Sequence, residues 1–65
     1  MSADESLTKA EELLARLEAA RARLEATDDP NAAIEVLQEL GDLAREIEAE
    51  LQRARRASEA DAADA

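Results

Sequence analysis

The sequence predicts an all-α fold: an antiparallel helical hairpin with heptad seams, assembling into a four-helix bundle or a larger helical oligomer. Three observations predict it. Apolar residues recur at alternating steps of three and four along two long segments. The only proline, Pro30, stands in the short polar stretch between those segments. Both segments also carry three or four apolar positions per heptad, more than a single neighbouring helix covers.

The first helix is predicted over about 6–26, after a disordered start at 1–5. Its apolar residues fall at Leu7, Ala10, Leu14, Leu17 and Leu24, with Arg21 where the next one is due. Leu13 and Ala20 lie beside this series and widen it. Glu5 with Lys9, Glu12 with Arg16 and Arg21 with Glu25 are four apart, a spacing that adds a few tenths of a kcal/mol per pair to an exposed helix.

A corner is predicted at 27–29, because Asp29 suits a helix N-cap and Pro30 suits the first helical turn. The residue before a proline is also pushed out of the helical region. The second helix follows over about 30–57, with Ala33, Leu37, Leu40, Ala44, Ile47, Leu51 and Ala54 in steps of four and three, broadened by Ile34, Val36 and Leu43. Arg53, Arg55 and Arg56 crowd its last turns, where positive side chains complement the negative end of the helix dipole. Residues 58–65, SEADAADA, have little to bury, and a disordered acidic tail is expected there.

Folding back at the corner pairs Leu24 with Ala33, Leu17 with Leu40, Leu14 with Ala44, Ala10 with Ile47 and Leu7 with Leu51, so large residues mostly meet small ones. The surplus face then calls for a second chain, a homodimer being the simplest case. The interface expected with that chain comprises Leu13, Leu17, Ala20, Ile34, Val36, Leu40, Gly41, Leu43 and Ile47. Gly41 stands out because glycine inside a helix costs roughly 1 kcal/mol against alanine; close approach by another helix is one reading, a tolerated weakness the other. Arg21 reads as a long side chain snorkelling from the edge of its seam.

Composition supports the need for a partner. Of 65 residues 17 are alanine and none is aromatic, and Leu, Ile and Val together number 12, roughly 18%. With a net charge of −9 that composition lies on the disordered side of the usual boundary of about 20%. A chain this short is marginal on its own, and oligomerisation is a standard remedy.

The missing residue types exclude most chemistry. With no His and no Cys there is no ordinary acid-base pair at neutral pH, no usual zinc site and no disulfide. Asp28, Asp29 and Asn31 resemble the start of a calcium loop, but the glycine and terminal glutamate of that loop are absent. A non-enzymatic protein is therefore expected, with no cofactor and no metal. No direct binding to nucleic acid is expected either, because the charge is acidic and no aromatic can stack on a base. The absence of a long apolar run or an apolar leader points away from the membrane and to the cytoplasm.

Leu17-Glu18, Arg23-Leu24-Glu25, Ala33-Ile34-Glu35 and Leu43-Ala44-Arg45 followed by Leu51 resemble, in their order, the small subunit of exodeoxyribonuclease VII. That family is a short helical hairpin, and the resemblance implies a non-catalytic accessory subunit whose apolar face docks on a large nuclease subunit. The stretch entering the second helix differs, reading Thr27-Asp28-Asp29-Pro30-Asn31-Ala32-Ala33. A large protein subunit is thus the alternative partner to a second copy of the chain.

Overall fold

The computed structural model describes residues 2–64, with side chains described as far as Ala60. Met1 and Ala65, at the ends of the segments expected to be disordered, lie outside the described residues. Two helices, α1 (Ala3–Ala26) and α2 (Pro30–Asp64), fold against each other as a hairpin. The result is a rod of 54 × 14 × 13 Å.

Local chemistry sets each end. Ser2 caps α1, its side chain accepting a hydrogen bond from the Glu5 amide at 3.2 Å, and Asp4 and Glu5 place negative charge in the first turn. The helix therefore begins at Ala3 rather than near Ser6. At the other end Thr27 adopts an extended backbone, its amide donating to the Leu24 carbonyl at 3.2 Å and its hydroxyl to the Arg23 carbonyl at 2.6 Å. The corner spans 27–29. Asp29 then accepts from the Asn31 amide through Oδ1 at 3.2 Å, and its carbonyl takes the Ala33 amide at 2.9 Å, which starts α2 at Pro30.

Helix α2 continues to Asp64, where a disordered tail from residue 58 was expected. Alanine has the highest helix propensity, and Arg55 bonds Glu59 one turn on at 3.0 Å, so the tail extends the helix without needing a core.

The buried residues define the seam between the helices. In α1 they are Ser6, Ala10, Leu13 and Ala20, with Ala3, Leu17 and Leu24 half-buried between them; in α2, Leu43, Glu50 and Ala54, with Ala33, Val36, Leu40, Ile47 and Ala57. Both series keep alternating steps of three and four. Leu13, Ala20 and Leu43 form the core cluster, and Leu17, Val36, Leu40 and Ile47 pack against it. Bulk is greatest in the corner half. Toward the open end Ser6, Ala10, Ala54 and Ala57 make the seam thin.

This seam corrects the expected one. Each helix contributes one expected column, Ala10, Leu17 and Leu24 in α1 and Ala33, Leu40, Ile47 and Ala54 in α2, but the second column lies on the opposite flank. Leu7, Leu14, Leu37 and Leu51 are consequently outside the seam, and the expected pairings of Leu7 with Leu51 and Leu14 with Ala44 are not part of it. Arg21 supplies the physical reason in α1. It shares the column of Leu7 and Leu14, so burying that column would strand a guanidinium, whereas the neighbouring column offers Ala20.

Candidate interaction face

Three columns of α1 are apolar, and the hairpin uses two. The third carries Leu7 and Leu14 and then Arg21, and its counterpart in α2 carries Leu37, Ala44 and Leu51. Whether the two leftover columns share an edge follows from an ion pair on the other side. Arg23, one position before the seam residue Leu24, meets Glu39, one position before the seam residue Leu40. Residues preceding the seam columns thus share one edge, and those following Leu13 and Leu43 share the opposite one.

The first edge is charged. Lys9, Arg16 and Arg23 from α1 stand on it with Glu39, Glu46 and Arg53 from α2, and a groove there is lined by Lys9, Glu12, Leu13, Arg16, Glu46, Ala49, Glu50 and Arg53. Glu50 reaches this groove from a seam position. It is only 5% exposed; Oε1 accepts a hydrogen bond from Arg53 Nη1, and Oε2 is buried without a partner. A buried acceptor left unsatisfied is a destabilising element, typically about 1–3 kcal/mol.

The second edge is apolar. Leu7, Leu14, Ile34, Leu37 and Leu51 remain 44%, 51%, 54%, 53% and 47% exposed, and a shallow depression between Ala44, Ile47 and Leu51 opens on the same side of α2. Single exposed aliphatics are ordinary on protein surfaces, but these form an aligned row along one edge. Arg21 ends the α1 row. Its guanidinium bonds Glu18 at 3.1 Å and Glu25 at 2.6 Å. It holds its proton more tightly than usual, chiefly through the Glu18 hydrogen bond and then through the charges of Glu18 and Glu25.

Gly41 lies half-buried beside this row. A Cβ added there would meet only the Arg45 guanidinium, at 3.6 and 3.8 Å, an ordinary contact with a flexible side chain. Nothing within the hairpin requires glycine at this position.

The nine residues expected to face a second chain therefore divide. Leu13, Ala20 and Leu43, 9%, 1% and 8% exposed, are the core of the hairpin itself, and Leu17, Val36, Leu40 and Ile47 pack on that core. Ile34 alone of the nine is fully on the surface, with Gly41 partly so. Leu7, Leu14, Leu37 and Leu51, expected in the seam, stand open instead. For Leu7 and Leu14 the distinguishing signal is Arg21 in their column; the column of Leu37, Ala44 and Leu51 carries no charge and gives no such signal.

Among the described residues no group of three or more acidic side chains is placed to hold a metal ion, and no helix is long and apolar enough to cross a membrane. No protein-family model, curated protein or solved structure matches the chain.

Proposed function

We propose that this chain is a non-enzymatic interaction protein, a helical hairpin that self-associates through the apolar edge formed by Leu7, Leu14, Ile34, Leu37 and Leu51 to give a four-helix bundle. The observation that carries this reading is the alignment of five half-exposed large aliphatics on one edge, opposite an edge held by charges. Full burial of such a side chain contributes about 1.5–3 kcal/mol, so covering the exposed half of ten of them in a dimer gives about 8–15 kcal/mol. Association costs about 4–15 kcal/mol in lost freedom, a range that overlaps this gain, so the proposed pairing is concentration-dependent. The net charge of −9 per chain opposes it, and salt screens that repulsion, so association strengthens as ionic strength rises. The cytoplasm is the compartment this reading takes.

The test is to place a charge on the edge without disturbing the seam. Leu14→Glu and Leu37→Glu keep the helicity of a dilute sample and abolish the gain in helicity and mass that concentration produces in the unsubstituted chain. If both variants associate as the parent does, the edge is not the contact surface. If the parent itself stays monomeric at every concentration, the edge belongs to a larger protein, the accessory-subunit role that the resemblance to the nuclease small subunit implies.

A further inference from the structure

The apolar stripe of each helix has a middle column, Ala10, Leu17 and Leu24 in α1 and Leu40, Ile47 and Ala54 in α2, with a further column on either side. The hairpin joins each middle column to the neighbour on its charged edge. In an antiparallel pair one residue forward in α1 is one residue back in α2, so facing residues can be counted off. Ala20 then faces Leu40, Leu17 faces Leu43, Leu13 faces Ile47 and Ala10 faces Glu50, all of them buried or half-buried.

The same count, shifted by one residue, joins the middle columns to the neighbours on the other edge. Arg21 then faces Leu40, Leu17 faces Ala44, Leu14 faces Ile47 and Ala10 faces Leu51. The shift is one residue's rise, about 1.5 Å, which the corner at 27–29 can absorb. Leu13 and Leu14 are separated by about 100° around α1, so moving the seam from one to the other turns the helix by half of that, about 50°. Helix α2 turns equally, and because the helices run antiparallel they turn as meshed gears do.

Each packing encloses one charge. The described seam holds Glu50, whose Oε2 is buried without a partner, and leaves Leu7, Leu14, Leu37 and Leu51 about half exposed. The turned seam covers those four leucines and frees Glu50, while Leu13, Val36 and Leu43 move to the charged edge. Its own defect is Arg21, which would leave solvent among Leu17, Leu24 and Leu40, in the bulky half of the rod. Turning also parts Arg23 from Glu39. In its place Arg21 keeps its exposed bonds to Glu18 and Glu25 in the described packing.

We infer that the hairpin has a second packing, in which both helices turn by about 50° and the apolar edge becomes the seam, and that Arg21 holds the chain in the first. Two arrangements of one sequence, each with a single charged defect, form a bistable element. The turn withdraws the very edge that the proposed self-association uses. That regulatory consequence rests on the self-association reading; the turn is a property of the single hairpin and does not.

Single thiols read the turn, since the chain has no cysteine of its own. Ala20 is 1% exposed and leaves the seam on turning, whereas Ala44 is exposed and enters it. The experiment measures the rate at which a maleimide labels Ala20→Cys and Ala44→Cys, at a concentration where sedimentation shows monomer and in sucrose to keep the hairpin folded. In the parent background the Ala20→Cys thiol is expected to react at least tenfold more slowly than the Ala44→Cys thiol. With Arg21→Leu added the order reverses, and with Arg21→Leu and Glu50→Leu together the two rates approach each other. Arg21→Ala replaces Arg21→Leu if the leucine variant loses helicity or aggregates. A helical monomer carrying either substitution that still protects Ala20→Cys and leaves Ala44→Cys open overturns the inference. So does equal labelling of the two thiols in the parent or in the single Arg21 variant. A parent that sediments as a monomer at every concentration removes the self-association reading and leaves this test intact.

Discussion

Leu13 and Leu14 are neighbours in sequence with opposite fates in the hairpin, and truncating each to alanine separates the seam from the apolar edge. Leu→Ala removes the equivalent of about three methylenes at about 0.8 kcal/mol each when burial is complete. Leu13, 9% exposed and part of the core cluster, forfeits nearly all of that and leaves a cavity the two helices only partly close, for about 2–4 kcal/mol in all. Leu14, 51% exposed, forfeits about 1 kcal/mol. For a domain of this size 1 kcal/mol shifts the melting midpoint by about 4–8 °C, so Leu13→Ala lowers it by at least about 10 °C and Leu14→Ala by about 5 °C. The assay is thermal unfolding followed by far-ultraviolet circular dichroism in dilute samples, with an excluded osmolyte such as sucrose to keep the marginal monomer folded. Repeating it at high concentration adds a second readout. The Leu14→Ala deficit grows as copies pair, whereas the Leu13→Ala deficit stays nearly constant. A dilute Leu14→Ala variant that loses as much as Leu13→Ala would place the seam on the wrong column here and refute the assignment of the edges.

Three further substitutions test other parts of the hairpin. Glu50→Leu removes a buried oxygen that has no partner and fills a seam position, so it raises stability by about 1–3 kcal/mol in chemical denaturation, provided Arg53 turns to solvent. A loss of stability would mean that the carboxylate is a stabilising member of the seam. Asp29→Ala removes the side-chain bond to the Asn31 amide and costs about 0.5–2 kcal/mol, measured the same way. Gly41→Ala acts with opposite signs: it stabilises the isolated hairpin by up to about 1 kcal/mol, since the added methyl meets only Arg45, and weakens association measured by sedimentation.

Much of this was legible in the sequence because it depends on local chemistry. Both helices follow from their three-and-four spacing, and the corner at 27–29 from Asp29 and Pro30, which act within two residues of where they stand. The choice of seam was not legible in the same way. Three adjacent columns are apolar, and the middle one makes a heptad with either neighbour; the structure buries the pair that leaves Arg21 in solvent and accepts Glu50 inside. Either choice enclosed one charge, so hydrophobic periodicity alone did not decide it. Arg21 stays outside between Glu18 and Glu25, whereas Glu50 enters at the thin end of the seam, with Arg53 beside it. The helix ends were missed for a different reason. Ser2, in the segment expected to be disordered, is a strong N-cap residue, and the alanine-rich tail lacks an apolar stripe yet has the propensity to continue α2.

On the self-association proposed above, the exposed edge of the hairpin is covered only when two copies pair. Sedimentation equilibrium of the unsubstituted chain over a wide concentration range tests this most directly, with interference optics because the chain has no aromatic residue. A reversible monomer–dimer equilibrium that strengthens with salt is the result this account predicts. A single monomeric species at every concentration and salt level, with full helicity, would contradict it.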